Sequence, residues 1–391
     1  MKSEKSPIKL TRRQRFLLLS AVPLYFVLAG FLLQPPGQII AGIAEIFRQP
    51  DFLITDYLVV GGIGAAFVNA GFLTLMSIAI IYFLNMDMTG HTITSSFLML
   101  GFSLFGKNLI NIWAILAGVF LYARYHKTSV RRYIYVGLYG TSLSPIITQV
   151  MQLPGIPLAG SFLLSICVGI LIGFVLPPLS THVHFAHKGY SLYNVGFASG
   201  IIATVIVSLF RSFGIETASR QIWYTGGNRL FAGLLFLLFG IMIFFGLLKG
   251  PRQVLECYRS ILKSSGISGT DYLKDYGHSP VMLNMGINGL FATCFVLAVG
   301  GELNGPTIGG IFTIVGFSAT GKHLRNIAPI MLGVFIGSLT KEWAITDPSP
   351  MLALLFSTTL APVAGEFGII AGLLAGYLHS SVALNLSLIH I

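Results

Sequence analysis

The fold of this chain is decided by a stretch of sequence that occurs twice. Gly90–Phe120 reads GHTITSSFLMLGFSLFGKNLINIWAILAGVF, and Gly305–Phe335 reads GPTIGGIFTIVGFSATGKHLRNIAPIMLGVF. The two stretches align without a gap at an offset of 215, and 16 of the 31 aligned positions are identical. Self-similarity of this kind is the signature of an internal repeat. The sequence therefore indicates a duplicated unit.

Further matches flank this block. They pair Asp87 with Glu302, Thr141–Pro145 with Thr358–Pro362, Gln149 with Glu366 and, weakly, Val68-Asn69 with Ile287-Asn288. The first repeat is assigned to residues 57–179 and the second to 280–391, with about five helical segments in each. Residues 1–56 are assigned to a basic tail, a first span and an interfacial helix. Residues 180–279 are assigned to a linker with two spans and a cytoplasmic loop.

The composition places both repeats in a lipid bilayer. Of 391 residues, 54% are hydrophobic and 9% are charged, whereas about 25% are charged in a typical soluble domain. Several continuous apolar runs reach about 20 residues, the length of a transmembrane helix. A membrane β-barrel would show short alternating segments instead. These features exclude a cytosolic enzyme, a disordered protein and a disulfide scaffold.

The predicted fold class is an all-α polytopic membrane protein with about 12–13 transmembrane segments. The candidate spans are 16–34, 57–86, 90–105, 108–124, 133–150, 158–177, 193–212, 229–249, 280–300, 305–320, 323–340, 349–365 and 366–386. The segments at 90–105 and 305–320 are short, and they either span fully or re-enter. An interfacial helix is expected at 37–48.

The net charge of +11 could suggest a nucleic-acid partner, but the positive charge is distributed as it is in membrane proteins. Lys and Arg cluster in the N-terminal tail, at 124–132, at Lys188 and at 249–274. Basic loops stay in the cytoplasm, so the N-terminus is expected to be cytoplasmic, and no nucleic-acid partner is expected. An odd number of spans then separates the repeats, which inverts the second one. Inverted repeats of five segments are typical of transporters with a site near the membrane midplane.

Each repeat carries a lysine directly after a glycine, Gly106-Lys107 and Gly321-Lys322. A lysine near the start of a helix faces the positive end of its dipole, which is unfavourable. A carboxylate partner or an anionic substrate would offset this cost. The alternative is that both lysines extend to the membrane interface and anchor the short helices.

Other polar residues recur in both repeats and are candidate substrate ligands: Ser103, Ser318, Thr92, Thr307, Asn111 and Asn326. They would line a polar path, or they would satisfy broken backbone and bond between helices. Helix breaks are predicted at Pro145, Pro362, Gly106 and Gly321. These features favour short or broken helices around a central site.

Four positions are candidates for coupling or gating: Glu366, Asp87, Glu302 and Gln149. A carboxylate beside a helix break at membrane depth is a functional candidate, so Glu366 is favoured for proton coupling. Its counterpart Gln149 is neutral, so the two repeats differ in charge. Asp87 and Glu302 are expected near opposite membrane faces, where salt-bridge partnership with a lysine is preferred over gating.

His182, His184 and His187 form an H-x-H-x2-H run whose spacing could offer metal ligands. No acidic residue or cysteine lies close to it in sequence, and a plain interfacial loop is preferred. The chain lacks an ATP-binding P-loop and the motifs G-x-S-x-G, H-E-x-x-H and C-x-x-C. No cofactor or resident metal is therefore expected, and the protein is not expected to be an enzyme.

The stretch Leu176–Ala203, LPPLSTHVHFAHKGYSLYNVGFASGIIA, together with the two GFS-x2-GK blocks, resembles an uncharacterised family of bacterial multi-pass membrane proteins known only as a domain of unknown function. The resemblance covers nearly the whole chain. It implies a bacterial inner-membrane location and brings no catalytic residues. The five-plus-five arrangement is also similar in outline to urea transporters, as an analogy of architecture alone.

The preferred function is secondary transport, with proton coupling as an option, of a small polar or anionic solute or ion. One alternative is a passive pore for a small solute, built like a urea channel. Another is a membrane-embedded, metal-dependent enzyme that uses the histidine run, and a third is a structural or receptor protein. The sequence leaves open the solute, the coupling ion and whether the chain forms a homo-oligomer.

Overall fold

A computed structural model describes residues 10–51, 54–153, 155–215, 221–248 and 250–385. Within these ranges the helices are α1 Arg12–Leu33, α2 Pro36–Arg48, α3 Tyr57–Val60, α4 Ile63–Phe83, α5 Gly90–Phe102, α6 Trp113–Tyr125, α7 Ile134–Gly140, α8 Ser144–Met151, α9 Leu158–His187, α10 Asn194–Ser212, α11 Asn228–Leu247, α12 Pro251–Ile261, α13 Tyr272–Tyr276, α14 His278–Ala298, α15 Gly305–Phe317, α16 Leu324–Thr340, α17 Pro348–Phe356, α18 Ala361–Phe367 and α19 Ile369–Asn385. Two short strands, β1 Ile54–Thr55 and β2 Gln221–Ile222, pair in parallel.

The predicted all-α membrane architecture is confirmed. In the described part of the chain, seven helical stretches are long and apolar enough to cross a membrane: α1, α4, α9, α10, α11, α14 and the kinked pair α17–α18. Four shorter apolar helices, α6, α15, α16 and α19, accompany them. The predicted boundaries follow the helices closely. There are two exceptions. The loop predicted at 250–278 contains α12 and α13, and the span predicted to end at residue 177 continues as α9 to His187.

The short helices α5 and α15 are the centre of the molecule. Each has 13 residues, which gives a length of about 20 Å, against about 30 Å for the hydrocarbon core. Every residue of α15 is buried, so protein surrounds this helix on all sides. Because each helix is about 20 Å long, neither is long enough to cross the membrane by itself.

The two short helices run antiparallel along each other. A Cβ atom on Gly90 would lie 2.6 Å from the carbonyl oxygen of Ala319, just after α15, and one on Gly305 would lie 2.8 Å from that of Leu104, just after α5. Thr94 Oγ1 also donates a hydrogen bond to the carbonyl of Gly316 at 2.9 Å. Because α5 and α15 are equivalent in sequence, the axis that relates the repeats lies perpendicular to both. The antiparallel packing agrees with the predicted inversion of the second repeat, whose orientation relative to the membrane stays a prediction.

Aromatic rings close the space around this axis. The equivalent residues Phe97 and Phe312 meet edge to face, with ring centroids 5.8 Å apart. Phe312 also contacts Phe26 at 5.4 Å and Phe239 at 6.4 Å. Such edge-to-face pairs add to the free energy gained by burying the rings. The centre of the molecule is a packed aromatic core.

The equivalence between the repeats reaches beyond the predicted ranges 57–179 and 280–391. At the same offset of 215, α1 corresponds to α11 and α2 to α12, and the latter pair both begin at a proline, Pro36 and Pro251. These elements lie in the segments assigned to the tail and the linker. The apolar helices α1 and α11 share length and hydropathy rather than identical residues, so sequence comparison gave no signal there.

A second extension is an identical tetrapeptide, TDYL, at Thr55–Leu58 and Thr270–Leu273. In each copy the tyrosine N–H donates to the loop that follows the short helix of its own repeat. Tyr57 donates to the carbonyl of Leu104 at 3.0 Å, and Tyr272 donates to that of Ala319 at 3.1 Å. In the first repeat the tetrapeptide thus bonds the segment before α4 to the loop after α5. In the second repeat it bonds the segment before α14 to the loop after α15.

The breaks assigned to Pro145 and Pro362 lie at equivalent places. A 3₁₀ turn separates α7 from α8 in the first repeat and α17 from α18 in the second. Each proline lies in the first turn of the helix that follows, where its missing N–H costs nothing. The broken segments place polar side chains of the 3₁₀ turns inside the protein.

Candidate functional site

The two duplicated lysines lie at the ends of the short helices, and both are buried. The exposed fraction is 1% for Lys107 and 0% for Lys322. A lysine that extends to the membrane interface keeps its Nζ in contact with water, and neither side chain does so. Within the described ranges, neither lysine forms an ion pair. The geometry therefore matches a site inside the protein rather than an interfacial anchor.

In the first repeat an asparagine on α4 holds the loop that carries the lysine. Asn69 Nδ2 donates to the carbonyl of Ser103 at 2.8 Å and to that of Lys107 at 2.9 Å. The loop turns at Gly106, whose φ of +84° is the left-handed region that favours glycine. The asparagine and the glycine together fix the backbone on both sides of Lys107.

The second repeat uses the same device. Asn284 Nδ2 donates at 2.8 Å to the carbonyls of Ser318 and Lys322. Asn284 is therefore the counterpart of Asn69, and the weak sequence pairing of Asn69 with Asn288 is wrong by one helical turn. Glycine is required in this loop because of close packing rather than backbone conformation. A Cβ on Gly321 would lie 2.6 Å from the carbonyl oxygen of Gly266.

The duplicated asparagines Asn111 and Asn326 also serve the loop backbone. Asn111 Nδ2 donates to the carbonyl of Gly106 at 3.0 Å, and Asn326 Nδ2 donates to that of Gly321 at 2.9 Å. Their Oδ1 atoms accept from the N–H groups that begin the next turn, at 3.0 Å and 2.9 Å respectively. The structure thus places both in the role of satisfying broken backbone.

The duplicated threonines Thr92 and Thr307 lie in the first turns of α5 and α15. Each exchanges hydrogen bonds with the residue before its helix, Thr89 and Asn304 respectively, and so completes a capping box. Thr92 Oγ1 also lies 2.7 Å from Tyr135 Oη. Both threonines are therefore engaged in starting the short helices.

Lys322 is fully engaged by neighbouring side chains. Its Nζ donates to Thr358 Oγ1 at 2.7 Å and to the hydroxyl of Tyr193. The Nζ also lies 4.4 Å from the ring centroid of Tyr193 and 5.4 Å from that of Phe317, which are cation–π distances. Thr358 belongs to the 3₁₀ turn before α18, so the broken segment supplies the partner of this lysine.

Lys107 differs from Lys322 in having no such partner. Within the described residues its Nζ makes no hydrogen bond, and it lies 5.1 Å from the ring centroid of Phe102. The hydroxyls of Ser103 and Ser144 are also buried without a hydrogen bond. The three groups belong to one neighbourhood, because a Cβ on Gly106 would lie 2.9 Å from Pro145. A buried cation without a partner is costly, which marks this cluster as a candidate binding site.

The serines show the same asymmetry. Ser318 Oγ accepts a hydrogen bond from Asn288 Nδ2 at 2.7 Å and donates to the carbonyl of Ile314 at 2.8 Å. At the position equivalent to Asn288 the first repeat has Leu73, which leaves Ser103 without that donor. Ser318 and the Nζ of Lys322 are therefore satisfied, whereas Ser103 and the Nζ of Lys107 are not. Buried acceptors without a hydrogen bond also occur beside Lys322, at Asn284 Oδ1, Asn288 Oδ1 and His323 Nδ1.

Each short helix receives a carboxylate from the opposite repeat at its N-terminus. Asp56 Oδ2 accepts from the N–H of Gly305, the first residue of α15, at 3.2 Å. Asp271 accepts from the N–H of Gly90, the first residue of α5, at 3.1 Å. A carboxylate is stabilising at the positive end of a helix. Sequence reasoning missed both aspartates, although the repeated TDYL would have revealed them.

The carboxylates proposed for coupling lie elsewhere. Glu366 is exposed at the end of α18 and Asp87 is exposed before α5. Glu302 Oε2 accepts from the N–H of Gly226 at 3.1 Å, and Gln149 Nε2 donates to the carbonyl of Asp51 at 3.0 Å. In the described part of the chain, neither Asp87 nor Glu302 pairs with a lysine. The structure therefore does not bring the carboxylates Glu366, Asp87 and Glu302 to the buried lysines.

The histidine run lies in the last turns of α9, so the interfacial loop preferred for it from the sequence is wrong: the helix continues through Pro177 and Pro178 to His187. His184 and His187 have ring centroids 5.3 Å apart, while His182 is exposed. His187 Nε2 lies 3.0 Å from Asn194 Oδ1, and its Nδ1 accepts from the N–H of Gly189 at 3.1 Å. Among the described residues, no three His, Cys, Asp or Glu side chains come together as they would around a metal ion.

Comparison with known proteins gives a family and no function. The model of a family described as protein of unknown function, DUF1576, matches residues 35–212 and 250–391. No curated protein matches the chain, and no solved structure matches it. The analogy with urea transporters therefore has no support from a matching structure.

Proposed function

The chain belongs to the DUF1576 family of unknown function, and from the geometry of the site we propose that it is a secondary transporter of a small polar or anionic solute, with Lys107 as the solute-binding cation. We place it in the bacterial inner membrane with a cytoplasmic N-terminus. The observation that carries this proposal is the difference between two equivalent lysines, of which one has polar partners and the other has none.

A bound anion would offset the cost of burying Lys107. An unpaired charge at membrane depth is expensive, and such a group is retained where it meets a substrate or ion. The hydroxyls of Ser103 and Ser144 would supply further hydrogen bonds to the same solute. An uncharged polar solute would use the same donors with a weaker interaction.

The inverted repeats also suggest how the site changes state. Thr141 in the first repeat is the counterpart of Thr358, and each donates to a backbone carbonyl three residues earlier, at 2.7 Å and 2.6 Å. In a second state Lys107 would bond to Thr141 as Lys322 now bonds to Thr358. Rocking of one repeat against the other is the usual mechanism of such folds.

The test is solid-supported-membrane electrophysiology on proteoliposomes, with a panel of chloride, nitrate, acetate, phosphate, urea, acetamide and potassium. Each solute is applied with and without a pH gradient to the wild type, Lys107→Gln and the matched variant Lys322→Gln. We expect a saturable current for one anion class that Lys107→Gln abolishes. Electroneutral flux is tested by isotope uptake of the same panel.

The outcomes separate the proposal from its alternatives. A non-saturating flux that ignores the pH gradient would indicate a passive pore. Flux that is unchanged in Lys107→Gln would show that the lysine does not bind the transported solute. Silence in both assays would overturn transport of these solutes, and would favour a receptor or enzyme.

A further inference from the structure

A buried carboxylate of the first repeat, Asp51, has no counterpart in the second. It lies between α2 and β1 and has an exposed fraction of 0%. Its Oδ1 accepts from Tyr57 Oη at 2.8 Å. Its Oδ2 accepts from Thr148 Oγ1 at 3.0 Å and from Asn111 Nδ2 at 3.1 Å. All of the partners found among the described residues are uncharged, so none of these residues neutralises the carboxylate.

The second repeat cannot hold this carboxylate. The position equivalent to Asp51 is Gly266, where a Cβ atom would lie 2.0 Å from the carbonyl oxygen of Gly321 and 2.9 Å from Asn326 Nδ2. His323 takes the place of Asn108, and its Nε2 lies 3.0 Å from the carbonyl oxygen of Ser264. Backbone therefore occupies the space that Asp51 fills in the first repeat.

A cavity of about 330 Å³ lies beside Asp51. Two of its lining residues, Asn111 and Thr148, are the residues that donate to Oδ2. Asn108 and Ser165 add polar groups, whereas most of the remaining lining is apolar and includes Ile147, Phe162 and Trp113, the last of which is 47% exposed. The carboxylate thus lies one side chain away from a cavity that reaches the surface of the protein.

Asp51 also connects the parts of the candidate site. Asn111 belongs to the loop that carries Lys107, and its Nδ2 bonds to Gly106 as well as to Asp51. Thr148 and Gln149 belong to α8, which begins beside that loop. Thr148 donates to the carboxylate of Asp51, and Gln149 donates to its backbone carbonyl. A change in the charge of this carboxylate would therefore act on the loop and on α8 together.

We propose that Asp51 is the proton-binding group that couples transport to the proton gradient. This inference rests on the proposed function and deepens it, because it names the coupling group in place of Glu366. A proton that enters through the cavity would bind Oδ2 and convert the carboxylate to a carboxylic acid. The new O–H would donate to Thr148 Oγ1, whose own hydroxyl proton would turn away from Oδ2.

The other charged and titratable groups near Asp51 are accounted for. Tyr57 bonds to it directly, and Arg48 on α2 pairs with Glu45 at 3.0 Å on the surface. Asp56 accepts from three backbone N–H groups. Lys107 lies on the neighbouring loop and makes no hydrogen bond to Asp51. A titration of Asp51 would thus involve no direct ion pair.

The test is pH-dependent infrared difference spectroscopy of the purified protein in liposomes, which needs no solute. On acidification we expect the C=O band of a protonated buried carboxyl group in the wild type. Asp51→Asn should remove a component of this band that Asp56→Asn and Glu366→Gln retain, since the equally buried Asp56 can contribute a component of its own. Thr148→Val removes a hydrogen bond from both forms, but the bond that the ionised form accepts is charge-assisted and the stronger of the two, so the midpoint of the band should rise by at most about one pH unit.

Two results would overturn the inference: a wild type without a carboxyl band, or a band that Asp51→Asn leaves unchanged in intensity and position. If Asp51→Asn does not fold, an unshifted midpoint in folded Thr148→Val would do the same. The failure of transport is a separate result. A band that depends on Asp51, in a protein without flux, would reject the proposed function and leave the proton site standing.

Discussion

Lys322 Nζ lies 2.7 Å from Thr358 Oγ1, while the equivalent pair in the first repeat, Lys107 and Thr141, forms no such bond in the described structure. Lysine and threonine stand at these positions in both repeats, whereas their surroundings differ: Leu73 is equivalent to Asn288, and Asn108 to His323. Under the proposed transport function, this difference between the two repeats would belong to one end state of the transport cycle.

The two lysines should therefore respond differently to removal of their charge. Lys107→Met removes a buried cation without a partner and should raise the melting temperature. Lys322→Met leaves Thr358 and Tyr193 without their donor and should destabilise the protein by about 1–3 kcal/mol. Differential scanning fluorimetry in detergent measures both changes. Equal shifts of the same sign would contradict the asymmetry.

The asparagines that hold the lysine loops should be essential for stability. Asn69→Ala and Asn284→Ala each remove two hydrogen bonds to buried carbonyls, which we expect to cost about 2–3 kcal/mol. Thermal unfolding measured by circular dichroism tests this, with the exposed Gln38→Ala as control. If either asparagine variant has the same melting temperature as the control, other contacts hold the loop.

Asp56 and Asp271, which accept hydrogen bonds at the N-termini of the short helices, should contribute differently to stability because they differ in burial. Asp56 is 0% exposed and accepts three backbone N–H groups, so Asp56→Ala should cost about 2–3 kcal/mol. Asp271 is partly exposed, and Asp271→Ala should cost about 1 kcal/mol, as a lost helix cap does. Thermal unfolding of both variants decides the order, and the reverse order would refute this account of the helix N-termini.

The inverted topology can be tested at exposed equivalent positions. Lys107 and Lys322 are buried and unsuitable for labelling, whereas Lys127 and Glu342 are exposed and equivalent at an offset of 215. In a background with Cys167, Cys257 and Cys294 replaced by serine, cysteines at 127 and 342 should react with an impermeant maleimide from opposite sides. Position 127 should be cytoplasmic. Labelling from the same side would reject the inverted repeat.

The sequence predicted the elements well and the site in part. Apolar runs and the duplicated block defined nearly every helix, because span length and repeated motifs are local signals. The burial of Lys107 and Lys322 agreed with a functional site. The roles of Asn69 and Asn284 emerged only in three dimensions, since their bonds cross from α4 and α14 to distant loops.

The sequence did not identify the carboxylates that the structure buries near the site. Glu366 was favoured because it follows a proline break, yet α18 ends there and leaves the side chain exposed. Asp51 lies in a connecting segment with no motif and no acidic counterpart, so only its contacts with α8 and with the lysine loop identify it. The repeated TDYL was visible in the sequence and would have indicated Asp56 and Asp271.

The most direct test of the central claim is the concentration dependence of solute-induced current in proteoliposomes of wild type, Lys107→Arg and Lys107→Gln. If Lys107 binds the solute, the wild type shows a saturable current, Lys107→Arg retains it with a changed half-saturation, and Lys107→Gln abolishes it. Lys107→Gln protein that folds, reconstitutes and gives wild-type current would contradict the claim.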